Sequence, residues 1–474
     1  MMAWNGALRQ LYYKGDIHMK AWKVLSVSAL SVGMLAACGN NDGGNNDETA
    51  GGNAENENAS NEGAGNNATN EGGSDVSGEI SVWGWNVAAA AMEQSLEEFN
   101  EMYPDVTVNI EDIGREDVYD RLTVGLAAGG SGLPDVTMLE TDRLDNYFAE
   151  FPEGFVNLDD HGFADHEDKF APSKVEAIKG PDGNNLAAPW DIGPAGVFYY
   201  VPHFEEAGVD PDDIETWDDF IAAGEEILDA TGAAMVPVDI ANDDALFRMM
   251  MNQLGVYYFD EAGDIEIASA DAATAMSKIQ EMHEKDLVAN TDGWDGTVTA
   301  TVNHTVATVP FGVWYAGTIT DQAPDQSGDW GVFKLPAFEE GGNRDANLGG
   351  SDLSVLSNTE YPEAAYAFVE FFTTEVEPQI EGMVEYGLFP SLLATYDEPY
   401  FEENNEFFND EPIWALFADV VEGTPSANYT NDYARAFRYA SDAQANALLS
   451  GEDPQVALEE AAERIANETG RDMQ

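Results

Sequence analysis

The chain predicts an α/β fold in two lobes, and three observations carry that expectation. Beyond residue 79, strand-like and helix-like segments alternate, which favours α/β architecture with parallel sheets. Nearly 400 of the 474 residues lie in this part, too many for one ordinary core. The strand-like run Leu186–Val201, which holds Pro189-Trp190-Asp191 and Gly193-Pro194, is long and interrupted, as a crossing between lobes would be.

The chain before that body has its own logic. Met19-Lys20-Ala21-Trp22-Lys23 precedes an uncharged apolar run, Val24 to Met34, and then Leu35-Ala36-Ala37-Cys38. Two lysines, about a dozen apolar residues and small residues before a cut site are the three regions of a secretory signal, too short to span a bilayer stably. Cys38 is the only cysteine in the chain, so no internal disulfide accounts for it. Leu-Ala-Ala-Cys resembles the lipobox of bacterial lipoproteins, which implies a signal peptide over 19–38 and lipid attachment at Cys38. Residues 1–18 push the apolar run inward and add Tyr12, Tyr13 and Asp16, so they read as an upstream extension with the true start at Met19. Residues 39–78 are almost wholly Asn, Gly, Glu, Asp, Ala, Ser and Thr, with no aromatic side chain, and cannot bury enough apolar surface to fold. They form a tether whose r.m.s. reach as a coil is roughly 30–40 Å.

Charge restricts the partners. The chain carries 90 acidic and 19 basic residues, a formal charge of −71. Removing 1–38 takes away Arg9, Lys14, Lys20, Lys23 and Asp16, leaving 15 basic against 89 acidic side chains and a charge of −74. Self-repulsion on this scale destabilises a compact fold in dilute buffer but keeps it soluble in brine, where the Debye length is about 3 Å at 1 M. An acidic chain can simply be disordered, yet 11% aromatic residues and ten tryptophans argue for a packed body with an acidic, halophilic surface. No basic patch is visible to meet phosphates, which argues against nucleic acid and anionic membrane surfaces as partners.

Within the body, Ile80-Ser81-Val82-Trp83 is a first strand, and Met92, Leu96, Phe99 and Tyr103 recur at helical spacing until Pro104. Val106 to Ile110 is a second strand, Val118, Leu122 and Leu126 mark a helix, and Pro134 to Leu139 enters a third strand. In such a β-α-β-α-β unit ligands sit beyond the carboxyl ends of the strands, which sets Gly84-Trp85-Asn86 beside Glu140-Thr141-Asp142-Arg143. Thr216-Trp217-Asp218-Asp219 opens a helix with a capping-box start. Helices follow at 244–254 and 270–287, and Val256 to Ile267 reads as a hairpin turning at Asp260-Glu261-Ala262-Gly263. Val306 to Val313 is an apolar strand leading to Trp314, and Gly331 to Pro336 is another. Leu348-Gly349-Gly350-Ser351-Asp352 reads as the chain crossing back, with a further crossing near Gly387-Leu388-Phe389-Pro390. A helix spans Pro362–Thr373, and the last one starts at Asp453 with Pro454 in its first turn.

The order of these motifs resembles the extracellular solute-binding proteins of ABC sugar importers, in the family that includes maltose-binding protein. It covers essentially all of 79–474: the first strand with its tryptophan, Pro134-Asp135-Val136, Trp190-Asp191 before Tyr199-Tyr200, Thr216 to Phe220, Phe311-Gly312-Val313-Trp314, Gly331 through Pro336, then Gly349-Gly350-Ser351. The resemblance implies a periplasmic-binding-protein-like fold, two α/β lobes with a hinge and the ligand cleft between them. One lobe is expected from 79–192 and 347–385, the other from 193–346 and 386–474. It implies a monomeric, lipid-anchored receptor on the outer side of the cell membrane that hands a sugar or oligosaccharide to permease subunits without catalysis.

A sugar needs planar bidentate partners and aromatic plates. Trp85, Trp190, Trp314 and Tyr429 are the candidate plates. Glu140, Asp142, Asp191 and Asp352 are candidate acceptors, Asn86 and Arg143 candidate polar contacts, and Gly350 and Ser351 would let a ligand approach backbone amides. For each tryptophan the alternative is ordinary core, the preferred reading for Trp83 and Trp217, while the site is preferred for Trp190 and Trp314, and Arg143 can equally be an ion pair. Leu139 stands where maltose-binding protein has an aromatic residue, which leaves stacking from that strand in doubt. Asp159-Asp160-His161 and Asp165-His166-Glu167-Asp168 lack a recognised metal-ligand spacing and read as solvated loop, so no metal and no cofactor is expected. No Gly-x-Ser-x-Gly elbow, Walker loop or His-Glu-x-x-His occurs. A secreted glycoside hydrolase is the enzyme alternative, since two carboxylates suffice. A polyamine or other cationic solute is the alternative ligand, and an adhesive surface protein a third class.

Overall fold

The computed structural model describes residues 76–474. The extension 1–18, the signal 19–38, Cys38 and nearly all of the tether lie outside the described residues. The remainder forms two α/β lobes.

The first unit follows the expected order. Strands β1 (Gly78–Gly84), β2 (Val106–Asp112) and β3 (Val136–Glu140) are parallel, with β1 in the middle and Val82 opposite Val136. The helix expected after β1 divides into Asn86–Gln94 and Leu96–Met102, because Ser95 leaves helical geometry and its hydroxyl turns to Glu381 at 3.0 Å. Beyond β3 the sheet ceases to be parallel. Strand β4 (Ala188–Tyr200) is flanked by β7 (Thr308–Gly312) and β8 (Trp330–Lys334) along its second half, and by β9 (Asn347–Val355) along its first, all antiparallel. The order is β2-β1-β3-β9-β4-β7, so β4 and β9 carry one mixed sheet from one lobe into the other. Short strands β5 (Val236–Val238) and β6 (Val288–Asn290) pair separately.

Crossing segments meet at the middle of β4. Ile192 N donates to Phe389 O at 3.0 Å and Ser391 N to Trp190 O at 3.1 Å, which lays residues 389–391 along the strand. Bulges between Pro189 and Asp191 and between Ile192 and Pro194 re-aim β4 there.

Local chemistry explains several elements. Thr216 and Asp219 form a reciprocal capping box on the helix Trp217–Thr231, and Asp453 caps the final helix Pro454–Thr469 through Gln455 N at 3.0 Å. The hairpin expected over 256–267 shrinks to one bridge, Phe259 with Ile265. The Asp260 carboxylate holds the turn through Ala262 N and Asp264 N, both at 2.9 Å, while Phe259 and Ile265 bridge elsewhere to Asn428 and Met473.

Three apolar clusters hold the molecule. One joins β1, β3 and the helix Pro362–Thr374 through Val82, Met138, Phe99 and Phe368. A second packs Trp217, Phe220, Met250 and Ile279 against the helices Tyr433–Ser450 and Pro454–Thr469. A third, around Phe198, Trp330 and Phe417, shares β4 with the second. Trp83 and Trp217 are both core, as expected.

Candidate functional site

Adjacent parallel strands bring the ends of β1 and β3 together, and from there the site is built. Glu140, the last residue of β3, is gripped by Arg115 from the helix Arg115–Ala127, Nε to Oε1 at 2.9 Å and Nη2 to Oε2 at 2.5 Å. The Tyr119 hydroxyl donates to the same carboxylate at 3.0 Å. Asp142, in the first turn of the helix Thr141–Glu150, keeps Oδ1 out of water with no hydrogen bond, the nearest cation being Arg143 Nε at 3.8 Å. Burial, then the neighbouring Glu140 charge, raises its pKa. Arg143 also lies over the Tyr119 ring, 5.5 Å from its centroid.

The opposite wall comes from the second cluster. Arg248 donates to the Tyr433 hydroxyl at 2.7 Å, to Asp244 at 2.9 Å and to Asp243 at 3.0 Å. Tyr429 stands edge-on to Tyr257 and Tyr433, with centroids 5.5 and 5.4 Å away. Glu140, Asp142, Arg248, Asn347, Gly350 and Tyr429 line one polar cavity of about 40 Å³, room for little more than a water molecule.

A larger cavity of about 700 Å³ is lined by Trp294 and Trp314 together with Val87 and Tyr386. The two indoles lie 5.6 Å apart at 32°. Trp314 Nε1 donates to Leu348 O at 2.9 Å, and Leu348 lines the polar cavity, so one hydrogen bond ties a wall of the large cavity to a wall of the polar one. Such a volume falls within the ~300–1,000 Å³ of small-molecule sites.

The structure distributes the expected residues unevenly. Glu140, Asp142, Gly350 and Tyr429 share the polar cavity, and Trp314 walls the large one. Trp85 (9% exposed) and Trp190 (4%) belong to the first apolar cluster and line none of these cavities. As plates they are corrected to core: Trp190, at the bulge between Pro189 and Asp191, packs into the first apolar cluster, and Trp85 packs 5.9 Å from Tyr119. Asp352 is fully buried, ion-paired with Lys174 at 2.7 Å and bonded by the Thr141 hydroxyl at 2.7 Å, so it is a structural acceptor. Asp191 accepts the Ser351 amide, and burial raises its pKa to about 6. The Asn86 side chain lies outside the described residues. Asp159 and Glu167 hold the Asn185 amide, at 2.7 and 2.8 Å, and His166 meets Glu370 at 2.9 Å.

Sequence reasoning passed over Arg115, Arg248, Tyr257, Tyr433, Asn347, Trp294 and Lys174. Arg248 had a signal, being the one charge in the helix Ala245–Gln253, and Trp294 another, standing in the polar run Asp292-Gly293-Trp294-Asp295.

Known proteins share this architecture. Residues 83–377 match the family model of the bacterial extracellular solute-binding proteins. The lactose-binding protein of Rhizobium radiobacter is 33% identical over 362 residues, 74% of this chain and 84% of that protein. The arabinooligosaccharide-binding protein of Halalkalibacterium halodurans is 27% identical over 380 residues, 77% of this chain and 84% of its own. Among solved structures, the ABC transporter associated binding protein of B. animalis subsp. lactis, in complex with β-1,6-galactobiose, superposes with a TM-score of 0.68 at 23% identity, covering 84% of this chain and all of that one.

Proposed function

The chain belongs to the bacterial extracellular solute-binding proteins, and from that premise we propose that it captures a sugar or oligosaccharide between its lobes and delivers it, chemically unchanged, to an ABC permease. One observation carries the reading: Trp294 and Trp314 wall a cavity of about 700 Å³, and Trp314 is hydrogen-bonded to Leu348 in the wall of the polar cavity. Aromatic faces accept the weakly apolar faces of sugar rings, and the polar groups accept and donate to hydroxyls.

Charge balance favours a neutral guest over a polyamine. Arg115 pairs with Glu140, Arg143 lies 3.8 Å from Asp142, and Arg248, itself held by Asp243 and Asp244, also lines the polar cavity, so the wall offers donors and acceptors together. A site for a cation would leave its carboxylates unmatched. The names of the relatives, lactose- and arabinooligosaccharide-binding, point the same way.

The reading extends to the parts around the site. One lobe is assigned to 79–192 with 347–385 and the other to 193–346 with 386–474. Cleavage before Cys38 and acylation there would leave the monomeric protein leashed to the outer face of the membrane by the 39–78 tether. Two or more acyl chains anchor firmly where one does not. Among the described residues no helix is long and apolar enough to cross a membrane. The acidic surface suits work in concentrated salt.

A thermal-shift screen in molar salt tests the function. A sugar should raise the melting temperature, calorimetry should then show stoichiometric binding, and a chromogenic glycoside should remain uncleaved. A rise with polyamines alone, or turnover of the glycoside, would overturn it.

A further inference from the structure

The polar cavity takes three tyrosines from two separate loops, and one guanidinium joins those loops. Tyr257 begins the segment 257–265, Tyr429 and Tyr433 belong to the segment 428–433, and all three line the cavity. Residues 470–474 follow the final helix, and from them Arg471 reaches both segments. Its Nη1 donates to the Gly263 carbonyl at 2.8 Å, its Nη2 to Asn431 Oδ1 at 2.6 Å and its Nε to Asp432 Oδ2 at 2.7 Å. The guanidinium also lies over the Phe259 ring, 5.1 Å from its centroid. Arg471 itself does not line the polar cavity.

Neither segment is held by a regular ladder. The first keeps the bridge between Phe259 and Ile265, and Ile265 is tied in turn to residues 472–474: its amide donates to Asp472 O at 2.8 Å, and Gln474 N donates to its carbonyl at 3.1 Å. The second contains Thr430 at φ 54°, a left-handed conformation that a β-branched residue keeps only where its surroundings impose it. Thr430 N donates to Asp145 Oδ2 at 3.0 Å, on the helix that also carries Asp142, so the strained residue beside Tyr429 rests on the element that supplies the cavity's acid. Asn428 Nδ2 ties the two segments ahead of Tyr429, donating to Asp260 O at 2.7 Å, and Arg471 ties them beyond it. Tyr429 is thus pinned from both sides.

A planar fork whose three nitrogens meet three acceptors fixes angle as well as distance, which a point charge does not. We infer that Arg471 is a positioning residue for solute binding: without touching the polar cavity, it locks the two loops together and so fixes the tyrosine wall that the solute meets. This rests on the reading that the polar cavity takes a sugar.

Calorimetry on the full chain in molar salt, with lactose, maltotriose and arabinotriose as probes, reads the effect on binding. Arg471→Ala should weaken the sugar that binds by about tenfold. Arg464→Ala, in the final helix, loses a contact to Asp442 at 3.4 Å and should bind as the unaltered protein does; an equal loss there overturns the inference. Added to Tyr429→Ala, Arg471→Ala should weaken binding by no more than about a further twofold, whereas losses that simply multiply overturn it. Hydrogen exchange of the ligand-free chain, followed by mass spectrometry, should quicken in 257–265 and 428–433 and stay unchanged in β1 and β3. A rise spread over those strands as well would make Arg471 a general prop of the fold and overturn the inference. Arg471→Lys keeps the charge without the fork and should fall between; if Arg471→Ala does not fold, unaltered affinity and exchange in Arg471→Lys overturn it. Full affinity in a folded Arg471→Ala removes the positioning role and leaves the sugar reading. Loop-confined exchange in a protein that takes no sugar in the thermal-shift screen removes the sugar reading and leaves the lock between the loops.

Discussion

Arg115 holds Glu140 by two parallel contacts, at 2.9 and 2.5 Å, and thereby fixes the carboxylate that ends β3 against the polar cavity. The pair is about one-third exposed, so its value to folding is modest while its value to the geometry of the site is larger. Arg115→Ala should cost about 1 kcal/mol in urea unfolding and weaken sugar binding roughly tenfold by calorimetry. Arg115→Lys restores the charge without the fork and should fall between. Unchanged affinity in Arg115→Ala would take Glu140 out of the site.

Asp244 sets a second expectation, this time in pH. It is fully buried, accepts from Tyr258 at 2.5 Å and from Arg248 at 2.9 Å, and burial raises its pKa to about 6. An unfolded aspartate titrates near ~3.9, so between those values the folded state binds the proton more tightly. Stability from this group is therefore greatest below about 4 and declines as pH rises through 6, by about 3 kcal/mol in all. Asp244→Asn removes that decline. Urea unfolding of both proteins across this window should give a wild-type-minus-variant difference that falls with pH, whereas parallel curves would refute the assignment.

The two halves of this molecule differ in how far residues declare their neighbours. Strand order β2-β1-β3 and the capping box at Thr216 follow from local periodicity and spacing, and the parallel unit then places Glu140 and Asp142 at the strand ends. Trp190 and Asp191 show the limit. Trp190 is the unpaired residue of the bulge between Pro189 and Asp191, so the alternation of a regular strand does not say which way it points, and the structure turns it into the core. Lys174 was illegible because its helix, Pro172–Ala177, meets its partner Asp352 on β9 only through the fold, far along the chain. Trp294 reaches Trp314 only through tertiary packing, and no local pattern records that contact.

Trp294 separates binding from stability. It is 45% exposed and walls the large cavity, with Trp314 and Tyr315 at 5.6 and 5.5 Å. Trp294→Ala should lower sugar affinity about tenfold, some 1.4 kcal/mol, while changing unfolding free energy by less than about 1 kcal/mol. Trp294→Phe should recover part of the affinity. Equal losses of stability and affinity would mean that the ring props up its neighbours instead of meeting the ligand.

Gly193 is where the hinge tolerates no side chain. It sits in the second bulge of β4, between Ile192 and Pro194, its amide donates to Asn347 Oδ1 at 3.0 Å, and a Cβ built on it would stand 2.3 Å from the Leu348 carbonyl oxygen. That oxygen is backbone and already accepts from Trp314 Nε1 at 2.9 Å, so it cannot step aside without moving the indole. Gly193→Ala must therefore push β9 from β4 at the point where the sheet passes between lobes. We expect a loss of about 3 kcal/mol or more in urea unfolding, together with weaker sugar binding because Trp314 is displaced. Gly317, whose added Cβ would meet nothing within 4 Å, supplies the control: Gly317→Ala, in the helix Tyr315–Gln322, should be neutral or slightly stabilising. Equal behaviour of the two variants would show that the close approach of Gly193 to Leu348 does not hold the hinge.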